Sequence, residues 1–221
     1  MTVVVLLGAP GAGKGTQAPI LAARLGVPHV LTGDLFRAAV RDGTPIGRQA
    51  AGYMERGQLV PDDVTIEMLL ERLRRRDAEP GAILDGFPRS RHQAEALDDA
   101  LADGDRRVDR AILIEVPSEE LVRRIAGRWT CRAAGHVYHE VSHPPRTAGV
   151  CDIDGSPLYQ REDDRVDTVR ARLAQQLGAL NEVTAYYREQ GALGTVDGRG
   201  PAPEVTANIV AELAATAGGA A

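Results

Sequence analysis

The sequence predicts an α/β fold: a parallel β-sheet covered by helices on both faces, with a small helical flap and an inserted β module. Three observations lead there. Short apolar runs at Val3–Leu7, Ala82–Leu84 and Arg110–Val116 suit strands buried on both faces. Stretches of helical spacing separate them, and alternating strands and helices make a parallel sheet. The alternation breaks once, between Gly127 and Asp164, where Trp129, both cysteines, three of the five histidines and Pro144-Pro145 crowd together.

The elements follow in order. Val3–Leu7 is the first strand, Gly8 to Thr16 a glycine-rich turn, and a helix runs on to about Gly26. A short strand at His29–Leu31 leads into Thr32-Gly33-Asp34. Leu35 to Val60 is helical in small pieces, broken by Asp42-Gly43-Thr44-Pro45 and by Gly57. It has too few large apolar residues for a core of its own, so it reads as a flap resting on the main body. Pro61 opens a longer helix with Val64, Leu69 and Leu73 near helical spacing. Ala82–Leu84 ends in Asp85-Gly86-Phe87-Pro88-Arg89, and Ser90 to Asp103 is helical. Arg110–Val116 is another strand, and Pro117 opens another helix. Within 127–164, alternating pieces such as His136–His139 suggest small strands in a hairpin module. From Asp163 a long helix carries Val166, Val169, Leu173, Leu177, Leu180 and Tyr187 as a core stripe. Thr195–Asp197 is the last strand, Glu204 to Leu213 the closing helix, and Ala214–Ala221 is expected to fray.

Chemistry concentrates in Gly8-Ala9-Pro10-Gly11-Ala12-Gly13-Lys14-Gly15-Thr16. Strand, glycine-rich turn and helix are the context of a phosphate-binding loop. Glycines let the backbone wrap an anion with its N–H groups pointing inward, and the helix adds its positive dipole end. Lys14 is the only lysine among 26 Lys and Arg residues, at the position where a compact point charge differs from a planar fork. The loop departs from the common pattern, because Gly15 follows Lys14 and the hydroxyl comes one step later, at Thr16. It implies a nucleoside triphosphate. Asp85, at a strand end beside the loop, is placed to hold magnesium through water, or else to cap the next helix.

Bulk properties narrow the class. A chain of 221 residues can bury a full core. Net charge is -5, which argues against a general nucleic-acid binder. There is no apolar run of membrane-spanning length, and the chain begins directly in a strand without a signal peptide. Two cysteines fit a reducing compartment. A cytoplasmic monomer with neither nucleic-acid nor membrane partners is expected.

With the loop at 8–16, Asp85-Gly86-Phe87-Pro88-Arg89 and Arg161-Glu162-Asp163-Asp164 in one chain, the sequence resembles the adenylate kinases in their long-lid form. The resemblance covers about residues 2–213. It implies a P-loop NTPase-like core with a five-stranded parallel sheet from 1–30, 61–126 and 165–221. A nucleoside-monophosphate flap would span 31–60 and a lid 127–164. It implies reversible phosphoryl transfer between MgATP and AMP, giving two ADP. Gly11, Ala12, Gly13, Lys14, Gly15 and Thr16 would hold the ATP phosphates. Arg124, Arg128, Arg161 and Arg172 would converge on phosphate when the lid closes, and Arg161 and Arg172 would also reach AMP. Val137, Tyr138 and Gly200 would border the ATP adenosine. Arg37 and Arg89 would grip the AMP phosphate. Thr32, Gly86, Phe87, Pro88 and Gln93 would surround AMP, with Gln58, Leu59 and Val60 supplying backbone contacts. Lys14, Asp85, Arg89, Arg128, Arg161 and Arg172 form the implied catalytic set.

Many long-lid relatives bind zinc through two Cys-x2-Cys or Cys-x2-Asp pairs. The matching positions here are Cys131, Ala134, Cys151 and Asp154, and alanine cannot ligate. His136 could complete a set of Cys131, His136, Cys151 and Asp154. The alternative is a metal-free hairpin with two thiols or a disulfide, and an incomplete set favours it. Two other functions compete: a kinase for UMP or CMP, and a phosphate-loop ATPase that acts as a switch. Gln93 and Thr32 favour adenine, and the second, arginine-rich site disfavours the switch.

Overall fold

The computed structural model describes residues 2–55, 59–104, 106–161 and 164–217, with the backbone alone at Arg172, Gln175, Thr216 and Ala217. The chain forms two compact units. One comprises the segments up to Gly8, Gly13–Glu115 and Ala179 onward; the other comprises Ala9–Ala12 and Val116–Gly178.

The first unit is built on five strands, β1 (Thr2–Leu7), β2 (His29–Leu31), β3 (Gly81–Asp85), β4 (Arg110–Glu115) and β8 (Leu193–Asp197). Their order is β2-β3-β1-β4-β8, and every neighbouring pair is parallel. The apolar runs are continuous because both sheet faces are covered. Val3, Val5 and Leu7 join Ala82 and Leu84 in one buried cluster. Helix α4 (Asp62–Leu73) adds Leu69 to it, α5 (Arg91–Ala102) adds Ala94 and Leu97, and α7 (Val166–Glu189) adds Val183 and Tyr187. The alternate residues Val4, Leu6, Ile83 and Ile112 are buried as well, as period-two strands require. Helices α1 (Lys14–Leu25) and α8 (Ala202–Ala217) pack on the sheet and on each other. Gln17 of α1 ties them together, donating to the Ala202 carbonyl at 3.0 Å and accepting from Thr206 Oγ1 at 2.6 Å.

The flap reading needs one correction. Helices α2 (Thr32–Arg41) and α3 (Pro45–Glu55) do have a small apolar cluster, Phe36, Ala50 and Val60, but Met68 of α4 completes it. The two helices cross closely at Gly47, where a Cβ would lie 2.0 Å from the Ala39 carbonyl oxygen. Two boundaries also move. Helix α8 continues to Ala217 rather than ending near Leu213, and Gly218–Ala221 lie outside the described residues. Along α7, Val166 is exposed, whereas Val183 and Tyr186 are buried and were not part of the expected stripe.

The second unit holds α6 (Ser118–Ala126) and a three-stranded antiparallel sheet. Its central strand β5 (Arg128–Cys131) pairs with β6 (Val137–His139) on one side and β7 (Leu158–Tyr159) on the other. Cys131, Tyr138, Cys151 and Leu158 are its buried core, with Trp129 packed against them. Among the described residues these four make a meagre apolar cluster for the three-stranded sheet itself, the unit's other buried apolar residues, such as Leu121 and Ile125, lying on its helices.

Candidate active site

The phosphate loop leaves the end of β1. Gly11 takes φ +81°, and a Cβ there would press within 2.8 Å of Ile125, so no larger residue fits. Gly13 is the N-cap of α1, accepting at its carbonyl from the Thr16 and Gln17 amides. Gly15 and Thr16 are exposed at the head of the helix, where its positive end faces an incoming anion. Lys14 Nζ donates to the Gly8 carbonyl at 2.7 Å. Burial pulls the Lys14 ammonium down from 10.5 to about 8; Asp85 opposes this and Arg89 adds to it.

Asp85 closes β3 beside that loop, Leu6 of β1 pairing with it in register. It is buried, with His29 Nε2 3.6 Å from its carboxylate, and it caps no helix. Ser90 caps α5 instead, accepting from the Gln93 amide at 3.2 Å. A buried carboxylate oxygen at this point suits a hard divalent cation. The next residue, Gly86, has φ +83°, and a Cβ would sit 2.9 Å from Thr32 Oγ1. Its carbonyl accepts from Thr32 Oγ1 at 3.1 Å and from Arg89 Nε at 2.8 Å. Thr32, Gly86 and Arg89 are thus one cluster, drawn from the turn after β3 and the start of α2. Phe87 is 1% exposed within the core cluster, so only its backbone is available to a ligand; the Phe87–Pro88 peptide is cis.

Gln93 joins this cluster, its Oε1 accepting from the Arg89 N–H at 2.7 Å and its Nε2 donating to Asp62 Oδ1 at 2.7 Å. Arg37 is exposed on α2 and paired with Asp34 one turn earlier. Leu59 is exposed and Val60 buried in the flap cluster. Gln58 and the Arg172 side chain lie outside the described residues. Asp62 is the residue that sequence reasoning missed. Nothing local marks it, since an acidic residue in a first helical turn is ordinary.

In the second unit Arg128 makes a two-pronged pair with Asp164, which is 0% exposed, Nε lying 2.9 Å from Oδ2. Arg124 pairs with Glu120 one turn earlier, and Arg161 is exposed. Val137 is exposed. Tyr138 turns inward instead, accepting from the Asp152 amide at 2.7 Å and stacking on His143, so its ring serves the module's core. Gly200, before α8 in the first unit, lies against Glu204.

Cys131 Sγ, His136 Nδ1, Cys151 Sγ and an Asp154 carboxylate oxygen lie within 4.8 Å of one another. Asp154 Oδ2 is 3.1 Å from Cys131 Sγ and 3.3 Å from His136 Nδ1, which is 3.3 Å from Cys151 Sγ. Tetrahedral zinc with bonds of about 2.0–2.3 Å separates its ligand atoms by roughly 3.3–3.8 Å. Burial works against a Cys131 thiolate, but hydrogen bonding with Ser156 and the Ala134 amide outweighs it and brings the group down to about 7. Ser156 also holds the Asp154 carboxyl well below the usual range. The two cysteines are not joined in a disulfide.

A parallel sheet with a phosphate loop after its first strand, and a second polar cluster at the end of the neighbouring strand, defines a nucleotide-binding protein of the phosphate-loop class. The comparisons with known proteins narrow this. The family profile described as "Adenylate kinase" matches residues 6–192. An adenylate kinase of Staphylococcus epidermidis is 46% identical over 207 residues, covering 94% of this chain and 96% of the relative. That of Staphylococcus aureus strain Mu50 is 45% identical over the same span. The chain belongs to the adenylate kinase family.

Proposed function

We propose that this chain catalyses reversible phosphoryl transfer from MgATP to AMP, giving two ADP. One observation supports it best. Lys14 and its loop follow β1, the Asp85–Arg89 turn follows β3, and these strands are parallel neighbours in register. A donor-phosphate site and a second, arginine-bearing site therefore open on the same edge of one sheet. In phosphoryl transfer the protein chiefly positions groups and offsets spreading negative charge.

In this reading Lys14 and the amides of 11–16 hold the ATP phosphates, while Arg37 and Arg89 hold the AMP phosphate. Thr32, Gly86 and Gln93 face the base, with backbone from Pro88 and 58–60. Magnesium, when bound with ATP, offsets charge on its phosphates, and Asp85 is the residue to hold it through water. Arg124, Arg128, Arg161 and Arg172 supply further guanidinium groups, whose forks match phosphate oxygens in pairs. Val137, the Tyr138 backbone and Gly200 border the adenosine of ATP. Residues 31–60 act as the monophosphate flap and 127–164 as the lid, on a core of 1–30, 61–126 and 165–221. Closure excludes water, which would otherwise compete as acceptor. The enzyme works as a cytoplasmic monomer.

Acceptor profiling tests the activity. With ATP as donor, AMP should be used far better than GMP, CMP or UMP. Preferential use of UMP or CMP would assign the chain to another monophosphate, and phosphate release without transfer would make it an ATPase.

The lid cluster supports the zinc alternative over the metal-free hairpin. Cys131, His136, Cys151 and Asp154 would hold the ion, with the Ala134 amide orienting the first thiolate and Ser156 the Asp154 carboxylate. Its role is structural, compensating for the small apolar core of that module. Protein purified without chelator should carry stoichiometric zinc. His136→Ala should lose it and show a lower-temperature unfolding step for the lid. Metal-free parent protein with an unchanged melting profile would overturn the assignment.

A further inference from the structure

Asp62 sits in the first turn of α4, outside every motif of the sequence. Its carboxylate accepts two hydrogen bonds from the start of α5, from Ser90 Oγ at Oδ2 and from Gln93 Nε2 at Oδ1, the latter 2.7 Å long. The other end of the same amide, Oε1, accepts from the Arg89 backbone N–H, also at 2.7 Å. Gln93 is 4% exposed, so water does not replace these partners. A carboxylate only accepts and a backbone N–H only donates. Turning the Gln93 amide over would set oxygen against oxygen at Asp62 and N–H against N–H at Arg89. Both buried contacts would become repulsive and unsatisfied.

We propose that Asp62 is a specificity-determining positioning residue, locking the Gln93 amide in the orientation that reads adenine and rejects a 6-oxopurine. The inference rests on the reading that Gln93 faces the acceptor base. Each of the two bonds uses one amide hydrogen or one lone pair, which leaves one N–H and one lone pair to offer. Adenine presents an amino donor beside a ring-nitrogen acceptor, and a carboxamide meets that edge with two bonds. Hypoxanthine presents an oxygen where adenine has the amino group, and a protonated ring nitrogen beside it. The locked amide then meets acceptor with acceptor and donor with donor. An unlocked amide could turn over and accept it. Ser90 fixes the lock in turn: its hydroxyl donates to Asp62 and accepts from the Gln93 backbone amide.

The test compares AMP with inosine monophosphate as acceptor, with ATP as donor, in the parent, Asp62→Asn, Gln93→Leu and the double variant. Asparagine keeps the shape of Asp62 but offers either a donor or an acceptor. The ratio of kcat/KM for inosine monophosphate over AMP should rise in Asp62→Asn, by less than the roughly tenfold that a two-bond base contact can carry, because the Arg89 N–H still opposes the turned amide. The KM for ATP should not move. In the Gln93→Leu background the same substitution should leave the ratio where it is. An unchanged ratio in Asp62→Asn, with all three KM values rising together, marks general loosening and overturns the proposal. If Gln93→Leu shifts the ratio and Asp62→Asn does not, only the lock fails. If Gln93→Leu shifts nothing, Gln93 is away from the base and the acceptor-site reading falls as well. Should Asp62→Asn not fold, Asp62→Ser puts a hydroxyl that can donate or accept opposite the Gln93 amide and carries the same expectation, and an unchanged ratio there overturns it too.

Discussion

Lys14→Met is expected to slow phosphoryl transfer by roughly 10²–10³-fold or more, the usual result of removing a preorganised charge from the reacting phosphates. The folded protein should not suffer. Burial already pulls the Lys14 ammonium down to about 8, so the fold holds that charge at a cost. Methionine fills similar volume without it, at the expense of the hydrogen bond to the Gly8 carbonyl among the ammonium's contacts. The melting temperature should therefore stay level or rise slightly. The same group sets a pH dependence. Between about 8 and 10.5 the unfolded chain binds more protons at Lys14 than the folded one. Stability then increases with pH across that window and is reduced in full below it. Lys14→Met should lack this alkaline gain. ATP phosphates restore the ammonium, so ATP binding near pH 8.5 should take up a proton, read by calorimetry in buffers of differing ionisation enthalpy. Near-parental turnover in Lys14→Met would remove the loop from the reaction.

Arg128→Lys is expected to lower kcat on the order of 10²-fold while the protein remains folded. The guanidinium fork is the reason. Arg128 engages Asp164 with two nitrogens here, and the same fork would engage phosphate oxygens when ATP is bound. Lysine keeps the charge beside the buried Asp164 but cannot present two parallel donors. Alanine is the poorer probe, because it leaves a fully buried carboxylate without its cation, a change that costs about 3–5 kcal/mol. Trp129, the only tryptophan, is the next residue in β5 and serves as the probe of the proposed lid closure. An inhibitor that mimics both bound substrates should shift its emission most, and AMP alone should shift it little. A ligand moves such an equilibrium only by its differential affinity for the closed state. The shift should shrink in Arg128→Lys. A full shift with AMP alone, or an unaltered one in the variant, would count against closure driven by the ATP phosphates.

The sequence by itself determined everything that is local. Val3–Leu7 followed by three spaced glycines and Lys14 reads as a strand and a phosphate loop, because a buried strand needs only its own apolar run and the loop only its own backbone freedom. The Asp85–Arg89 turn and the break at 127–164 were legible for the same reason. The tertiary structure alone decided what depends on residues far apart in the chain. That Asp85 stands at a strand end beside the loop was legible, but its register against Leu6 follows from the order β2-β3-β1-β4-β8, and no periodicity within a strand encodes its neighbour. Met68 of α4 completes the cluster of Phe36, Ala50 and Val60 across a helix boundary, so a count of apolar residues within 31–60 underestimates that core. The family resemblance implies that Tyr138 borders adenosine; the pairing of β5 with β6 and β7 leaves its ring 3% exposed in the core of that sheet, a placement no local pattern encodes. The sequence offered His136 as the substitute for Ala134, but whether its ring reaches Cys151 and Asp154 depends on how that module folds, and there the four ligand atoms lie within 4.8 Å of one another. Asp62 and Gln93 are 31 residues apart and meet because α4 packs on α5; a hydrogen bond's direction is fixed by what faces it, and that is settled by packing.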